Sequence, residues 1–348
     1  MSSYSDRMRK QREYELSFEP KSIWNYVYND TLENLCDTGY KKEQLQKGGD
    51  DWVKAGAAGY LSSWNKEYLK RIVEFWTAPG DTILDPFAGH SSSFVPYLLG
   101  RNFIGFEITK ERYEIQKNHL EKLRKLYPNN DVQVKLINDT SENLLDYLSP
   151  NSVDCVITDP PFWNLEKYGS AVQGTQLSDL DFDAFHNKLK QIFSDASKVL
   201  KDGKFFVVKV ANFRRNKKFI ALKDKWSQIL TDIGLEQHDE VILELPPSKR
   251  HPLYIQAITN LNMLKIHEYL LIFRKGDEKI DVNDHINYSR PKVTDIYGKQ
   301  HTTLFWSSEK GKVDWITLQF KNKDKNKDKN KDKNSNTGMR YRKGLFNV

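Results

Sequence analysis

Cysteine is nearly absent from this chain: Cys36 and Cys155 are the only two in 348 residues. Two distant cysteines build neither a disulfide framework nor a cysteine-based zinc site, so a reducing, cytoplasmic setting and no bound metal are expected. Long apolar runs are missing as well. None approaches the roughly 18 residues of a membrane span. Residues 1–21 are polar and charged where a secretory signal has an apolar core, so a soluble protein with no membrane partner is expected. An acidic excess is also lacking. Lys and Arg number 54 against 47 Asp and Glu, a formal net charge of +7 at a pI near 9.0, and this balance suits a polyanionic partner.

What the chain does have is a regular alternation of short apolar strands and amphipathic helices between residues 51 and 274. Apolar runs at 82–85, 103–107, 132–137, 154–158 and 204–210 predict five strands, and 240–245 with 268–274 predict a closing antiparallel pair. Apolar residues at helical spacing predict helices over 66–76, 109–126, 182–200 and 219–233. Strands apolar on both faces and separated by helices make a parallel sheet covered on both sides. The predicted fold is therefore α/β, a Rossmann-like doubly wound sheet with one antiparallel strand, and ligands of such sheets sit beyond the carboxyl ends of the strands. Around this core, residues 1–50 read as an N-terminal arm and 276–320 as a C-terminal extension. Residues 321–338, built on a Lys-Asn-Lys-Asp repeat, have almost no apolar residue to offset the entropy of ordering and read as a disordered linker. Residues 339–348 form a tail that regains aromatics and Arg340, Arg342 and Lys343.

Four successive strand ends carry an acid. The first strand runs into Asp85-Pro86-Phe87-Ala88-Gly89-His90-Ser91-Ser92-Ser93, where a glycine lets backbone approach a ligand and the serines suit a helix start or a carboxylate. Glu107 ends the second strand about 20 residues later, the position from which a carboxylate accepts both hydroxyls of a ribose. Asp139 ends the third, where it can accept from an adenine amino group or cap the turn over 141–147. The fourth strand ends in Thr158-Asp159-Pro160-Pro161-Phe162-Trp163. Two prolines fix the backbone there, so the Asp159 carboxylate and the Pro160 carbonyl form a rigid pair of acceptors, and Phe162 offers a flat face to a base. Such a pair suits an aromatic amine, whose lone pair is drawn towards a nucleophilic geometry when its hydrogens are bonded.

In this order the motifs resemble the amino-group DNA methyltransferases, the N6-adenine and N4-cytosine family. Asp159-Pro160-Pro161-Phe162 is similar to its catalytic tetrapeptide, and Asp85-Pro86-Phe87-Ala88-Gly89 to its cofactor loop. Gly105-Phe106-Glu107-Ile108 resembles its ribose segment, and His267-Glu268-Tyr269-Leu270-Leu271-Ile272-Phe273-Arg274-Lys275 its closing strand. The likeness covers about 51–275, with the cofactor loop before the tetrapeptide, as in the family's gamma order. It implies a class I methyltransferase fold, S-adenosylmethionine as cofactor, and transfer to the N6 of adenine in DNA, because Asp rather than Ser opens the tetrapeptide. N4-cytosine, an RNA base, or a catalytically silent DNA-binding subunit are the alternatives. Asp159, Pro160, Pro161 and Phe162 would be catalytic. Asp85, Phe87, Ala88, Gly89, His90, Ser91, Ser92, Glu107, Asp139 and Asp159 would hold the cofactor, and Ser63 and Asn65 match the segment that closes over its methionine end. Two departures stand out: Ser91 replaces the loop's second glycine, and Phe162 replaces the commoner Tyr.

No familiar DNA-reading module is visible. Arg214, Arg215, Lys217 and Lys218 follow the fifth strand, and Lys249 and Arg250 lie in a loop over 245–265 that is expected to recognise the target. Both clusters should share the tetrapeptide's rim and contact phosphates. Residues 276–320 are a second candidate for recognition, and a homodimer, a partner subunit or a cognate restriction enzyme are the partners the family suggests.

Overall fold

The computed structural model describes residues 21–39, 64–128, 132–163, 176–215, 218–246 and 258–276. It also describes the strand segments 293–294, 300–301, 303–307, 313–318 and 341–343. The chain divides into two compact units, one of them Lys21–Ile280.

That unit is built on an eight-stranded sheet. Its strands are β1 (Ile23–Trp24), β2 (Thr82–Asp85), β3 (Asn102–Phe106), β4 (Val134–Ile137), β5 (Val153–Thr158), β6 (Leu200–Val210), β9 (Leu235–Glu244) and β10 (His267–Lys275). They lie in the order β4-β3-β2-β5-β6-β10-β9-β1. All neighbours are parallel except β10, which runs against both β6 and β9. This is the doubly wound sheet with one reversed strand expected of a class I methyltransferase. The helices of the unit are α1 (Asp30–Leu35), α2 (Lys66–Trp76), α3 (Phe94–Leu98), α4 (Lys110–Leu126), α5 (Leu144–Tyr147), α6 (Phe182–Val199) and α7 (Leu222–Asp232). The central strands are buried almost throughout, and Phe185, Leu189, Phe193, Trp226 and Leu230 of α6 and α7 join Val156, Phe206 and Val208 in one core. Apolar burial of this kind, at about 25 cal/mol per Å², is what holds helices to the sheet.

Three boundaries differ from the sequence reading. β9 begins at Leu235, because residues 236–239 are polar and exposed yet pair with β10 along its whole length. β6 begins at Leu200, directly after α6, with the turn-like Gly203 accommodated at φ 76°. Residues 219–220 were expected to begin a helix. They lie instead in β8 (Lys218–Ile220), which pairs with β7 (Phe213–Arg215) in a separate hairpin.

Residues 21–39, read above as part of an arm, are built into this unit. Trp24 is 2% exposed, and its ring lies 6.1 Å from that of Tyr68 and 6.3 Å from that of Trp76. The Tyr68 hydroxyl lies 3.1 Å from the Trp24 carbonyl and 2.8 Å from that of Glu244, which ties the edge strand β1 and its neighbour β9 to α2. The Lys66 amide donates to Glu33 at 2.8 Å. Trp64, Tyr68 and Lys66 are thereby fixed beside the sheet's carboxyl edge.

The described strands of the second unit are β11 (Val293–Thr294) with β12 (Gln300–His301), and a three-stranded antiparallel sheet of β13 (Thr303–Ser307), β14 (Val313–Leu318) and β15 (Tyr341–Lys343). The linker expected over 321–338 lies outside the described residues. Among the described residues, no helix is long and apolar enough to cross a membrane.

If residues 21–39 are an integral layer, Trp24→Ala should destabilise the unit by about 3–5 kcal/mol. Urea denaturation of the two proteins measures it, and an unchanged midpoint would show that the segment is dispensable.

Candidate active site

The carboxyl ends of β2, β3 and β5 and the turn after β4 meet at one cleft. Pro86, Phe87, Ala88, Gly89, His90, Ser91 and Ser92 all line it, with Glu107 and Arg112, Thr140, Ser141 and Glu142, and Asp159 and Pro161.

The loop over 86–92 lies flat against β3 because of a missing side chain. A Cβ at Gly105 would stand 2.8 Å from the Ala88 Cβ and 2.5 Å from the Phe103 ring, and Ala88 N–H donates to the Phe106 carbonyl at 2.8 Å. Gly89 adopts φ 60°, where a side chain is strained. Gln116, 1% exposed, braces the loop from α4: it donates to the Gly89 carbonyl at 2.9 Å and accepts from Ser93 N–H at 3.2 Å. The Ser141 hydroxyl donates to the Pro86 carbonyl and holds the turn after β4 to the same loop.

Glu107 is buried at the cleft wall. Burial pushes its carboxyl above the usual range, opposed by the Arg112 charge and by Thr109 N–H, which donates at 2.7 Å. The Thr109 hydroxyl and the Gly89 N–H also act on this carboxylate, which has about four lone-pair sites in all. Asp159 opens onto the same cleft.

Several expected site residues take other roles. Asp85 is 1% exposed and does not line this cleft. It accepts from the Thr158 hydroxyl at 2.7 Å and from Phe87 N–H at 2.9 Å, so it joins β2 to β5. Burial pushes its carboxyl up to about 7, against the Thr158, Phe87 and Ser92 bonds. Asp139 accepts from Tyr147 at 2.9 Å, from Asn143 and from Thr140 N–H, and these bonds hold its carboxyl below the ordinary value. It serves the local turn and does not line the cleft. Asn65 caps α2, accepting from Tyr68 N–H at 2.9 Å and donating to the Val27 carbonyl. Phe162 is half-buried with its ring 6.1 Å from that of Trp226, and neither it nor Pro160 lines the cleft. Arg214 and Lys218 are exposed on the β7–β8 hairpin. Ser63, Lys217, Lys249 and Arg250, and the Arg215 side chain, lie outside the described residues.

Other site residues escaped the sequence reading. Lys209, 3% exposed, brings its ammonium to 2.6 Å from Asp159 Oδ2 and 3.5 Å from Glu268 Oε2. It also lies 5.1 Å from the ring of Trp64, another cleft residue. A lone lysine inside Phe205-Phe206-Val207-Val208-Lys209-Val210 was the available signal. Lys66, 3% exposed, donates to the Ser91 hydroxyl at 2.8 Å, and burial lowers its proton affinity. Because the Ser91 oxygen accepts from Lys66, its own hydrogen is directed elsewhere, which gives the substituted glycine position a donor at the cleft. Among the described residues, no group of three or more His, Cys, Asp or Glu is arranged to hold a metal ion.

The family profile of N6 and N4 DNA methylases matches residues 2–118 and 153–344, which include the cleft loop, Glu107, Asp159 and the whole of β6. The chain belongs to the DNA methylase family. Type II methyltransferase M.BamHI of Bacillus amyloliquefaciens is 35% identical over 105 residues, which cover 26% of this chain and 25% of that protein. Type II methyltransferase M2.DpnII of Streptococcus pneumoniae is 35% identical over 107 residues, 29% of this chain and 38% of that one. The match therefore spans well under half the length of either curated relative. Among solved structures, a proposed rRNA methylase of Clostridium thermocellum is 17% identical with a TM-score of 0.40, over 62% of this chain and 100% of that one. A proposed methyltransferase of Bacillus halodurans is 13% identical with a TM-score of 0.42, over 61% and 99%. Likeness at that level identifies no activity. For this DNA methylase family member, the site's own geometry carries the chemistry.

The buried Asp85 makes that site pH-sensitive. With its folded value near 7, the folded chain keeps a proton that the unfolded chain has released from about pH 4 upwards. Its contribution to stability therefore falls as pH rises from about 4 to about 7. Asp85→Asn removes this component. Thermal unfolding between about pH 5 and about pH 8 should show a shallower decline for the variant than for the wild type; parallel profiles would mean that Asp85 ionises normally.

Proposed function

We propose that this chain is a site-specific DNA methyltransferase that moves a methyl group from S-adenosylmethionine to the N6 amino group of adenine. The observation that carries this reading is the Asp159-Pro160-Pro161 turn at the end of β5, whose Asp159 and Pro161 line the same cleft as Glu107 and residues 86–92. The donor set suits the cofactor. Glu107 would hold the ribose hydroxyls, Ile108 and Phe87 would flank the adenosine, and the Ser91 hydroxyl, backed by Lys66, would donate to the methionine carboxylate. Bound there, S-adenosylmethionine supplies an electrophilic methyl group.

The chain's own part is to make the amine nucleophilic. The Asp159 carboxylate and the Pro160 carbonyl accept the two amine hydrogens, which localises the nitrogen lone pair towards the methyl group. Transfer is direct, without a covalent enzyme intermediate: Cys155 is fully buried inside β5, where burial pushes its thiol well above the ordinary value, and thiolates are what react. The target base must leave the duplex to reach the cleft, with Phe162 as a face to stack on. Asp as the first residue of the turn favours adenine over the N4 of cytosine.

Arg214 and Lys218 are the described candidates for phosphate contact; Arg215, Lys217, Lys249 and Arg250 are further candidates from the sequence. Phe219, 44% exposed, lies between cations, with Arg214 5.5 Å and Lys265 4.9 Å from its ring centre. An aromatic flanked by positive charge suits a nucleic acid. DNA is the proposed partner, and a cognate restriction enzyme the proposed functional one.

Two experiments test this reading. DNA and RNA, each incubated with labelled cofactor, are digested to nucleosides: label in N6-methyl-2′-deoxyadenosine is expected, label only in deoxycytidine overturns the adenine choice, and label only in RNA nucleosides overturns DNA. Asp159→Ala should abolish transfer with the fold and cofactor binding intact. Separately, Arg214→Ala with Lys218→Ala should weaken DNA binding and reduce the slope of log affinity against log salt by about two; an unchanged slope would remove the hairpin from the interface.

A further inference from the structure

Lys209 is out of character with its strand. Val208 and Val210 on either side are fully buried, and so is Leu270, its partner across the ladder in β10. A lysine in such a place costs stability unless its charge is matched. It is matched twice, by Asp159 at 2.6 Å and by Glu268 at 3.5 Å, with the Trp64 ring on a third side. Buried ion pairs are poor stabilisers compared with well-packed apolar groups, so stability alone is a weak account of this triad.

Its geometry supplies a better one. Asp159 directly follows β5, Lys209 is near the end of β6, and Glu268 is the second residue of β10. Three adjacent strands thus bring two carboxylates to one ammonium, one of the carboxylates lying on the cleft wall. Remove the ammonium and two carboxylates remain close together in a poorly solvated place, where one of them takes up a proton at neutral pH. A protonated Asp159 presents an O–H where the amine needs an acceptor.

We infer that Lys209, itself held by Glu268, is a positioning residue that keeps Asp159 in the acceptor form needed for amine activation. The inference rests on the reading of Asp159 as the amine acceptor. The charged and titratable groups around this centre are Lys209 from β6, Glu268 from β10, Lys66 and Tyr68 from α2, and Asp85 from β2. Lys66 carries a second positive charge felt by Lys209, Tyr68 feels the charge of Glu268, and Asp85 feels that of Asp159. Lys209 is ion-paired with Asp159.

The test compares wild type, Lys209→Met, Lys209→Arg and the double variant Lys209→Met with Glu268→Gln. Folding is checked by circular dichroism, and cofactor binding by calorimetry. The readout is the pH profile of single-turnover methyl transfer to DNA. In Lys209→Met the acid limb should move up by about 1–2 pH units, with a loss of rate of tenfold or more at pH values on that limb. The double variant, relieved of the second carboxylate, should bring the limb back down and fold at least as well as the single one. Lys209→Arg should stay near the wild type. A structural role alone would lower rates evenly and leave the limb in place. An unmoved limb in folded Lys209→Met, or a double variant with the same profile as the single, overturns the inference. A carbon-13 titration of the Asp159 carboxyl in the free proteins reads the same shift without substrate. If that shift appears and wild type transfers nothing to DNA, the proposed substrate fails while the role of Lys209 stands. If it does not appear, the inference fails whatever the substrate.

Discussion

The hydrogen bond from Thr158 to Asp85 is the constraint on which the site depends. β2 and β5 are the two strands between which the sheet's winding reverses, and their backbone ladder registers only Ile83 with Cys155 and Leu84 with Val156. Beyond that point the chains part, one to the loop over 86–92 and the other to the Asp159 turn. A crevice opens at such a reversal because successive crossovers leave on opposite faces. The Asp85–Thr158 contact at 2.7 Å is the last tie before it opens. The same carboxylate takes Phe87 N–H, so one buried acid sets both the separation of the two loops and the start of one of them. That acid is driven towards neutrality by burial, and a neutral aspartic acid can still accept from both donors. Burial and the bonds from Thr158, Phe87 and Ser92 act on its charge in opposite directions, and the carboxyl lies behind the cleft wall.

Much of this arrangement was legible in the sequence. Hydrophobic periodicity indicated the central strands, the four longer helices and the closing antiparallel pair, because each depends on local apolar spacing. The ends of β2, β3 and β5 were readable as a site, because doubly wound sheets bind there whatever the ligand. Bonds to partners distant in the chain were not legible. Nothing near Asp85 in sequence reveals Thr158, 73 residues away, which donates to it in the fold. Asp139 had its capping partners Asn143 and Tyr147 close by, and those local bonds prevailed. Lys209 gave a signal as a charge in an apolar strand, but its meaning comes from Asp159 and Glu268, which lie 50 and 59 residues away along the chain. Residues 303–307 and 313–318 were not read as strands, although Thr303-Leu304-Phe305-Trp306-Ser307 and Val313-Asp314-Trp315-Ile316-Thr317-Leu318 carry the β-branched and aromatic content of strands.

The charges of the molecule fall into two sets with opposite tasks. The chain as a whole is positive by 7, and Arg214, Lys218 and Lys265 stand on exposed segments next to the carboxyl ends of β6 and β9. A polyanion is drawn to such a rim over about 10 Å at moderate salt. Inside the cleft the sign is reversed, with Glu107 and Asp159 on its walls. On the proposed reading the donor is a sulfonium, a cation, and the amine needs an acceptor, so the interior must be acidic where the exterior is basic. The two sets have to be kept from neutralising each other. Glu107 and Asp159 are therefore partnered locally, by Arg112 and by Lys209, each drawn from the cleft's own strands and helices and not from the rim. Lys209 is the more demanding of the two, since a buried ammonium tolerates only a geometry that satisfies it. On the same proposed reading, the rim residues can serve phosphates without setting the state of the Asp159 turn, and the two functions separate in space along a single sheet edge.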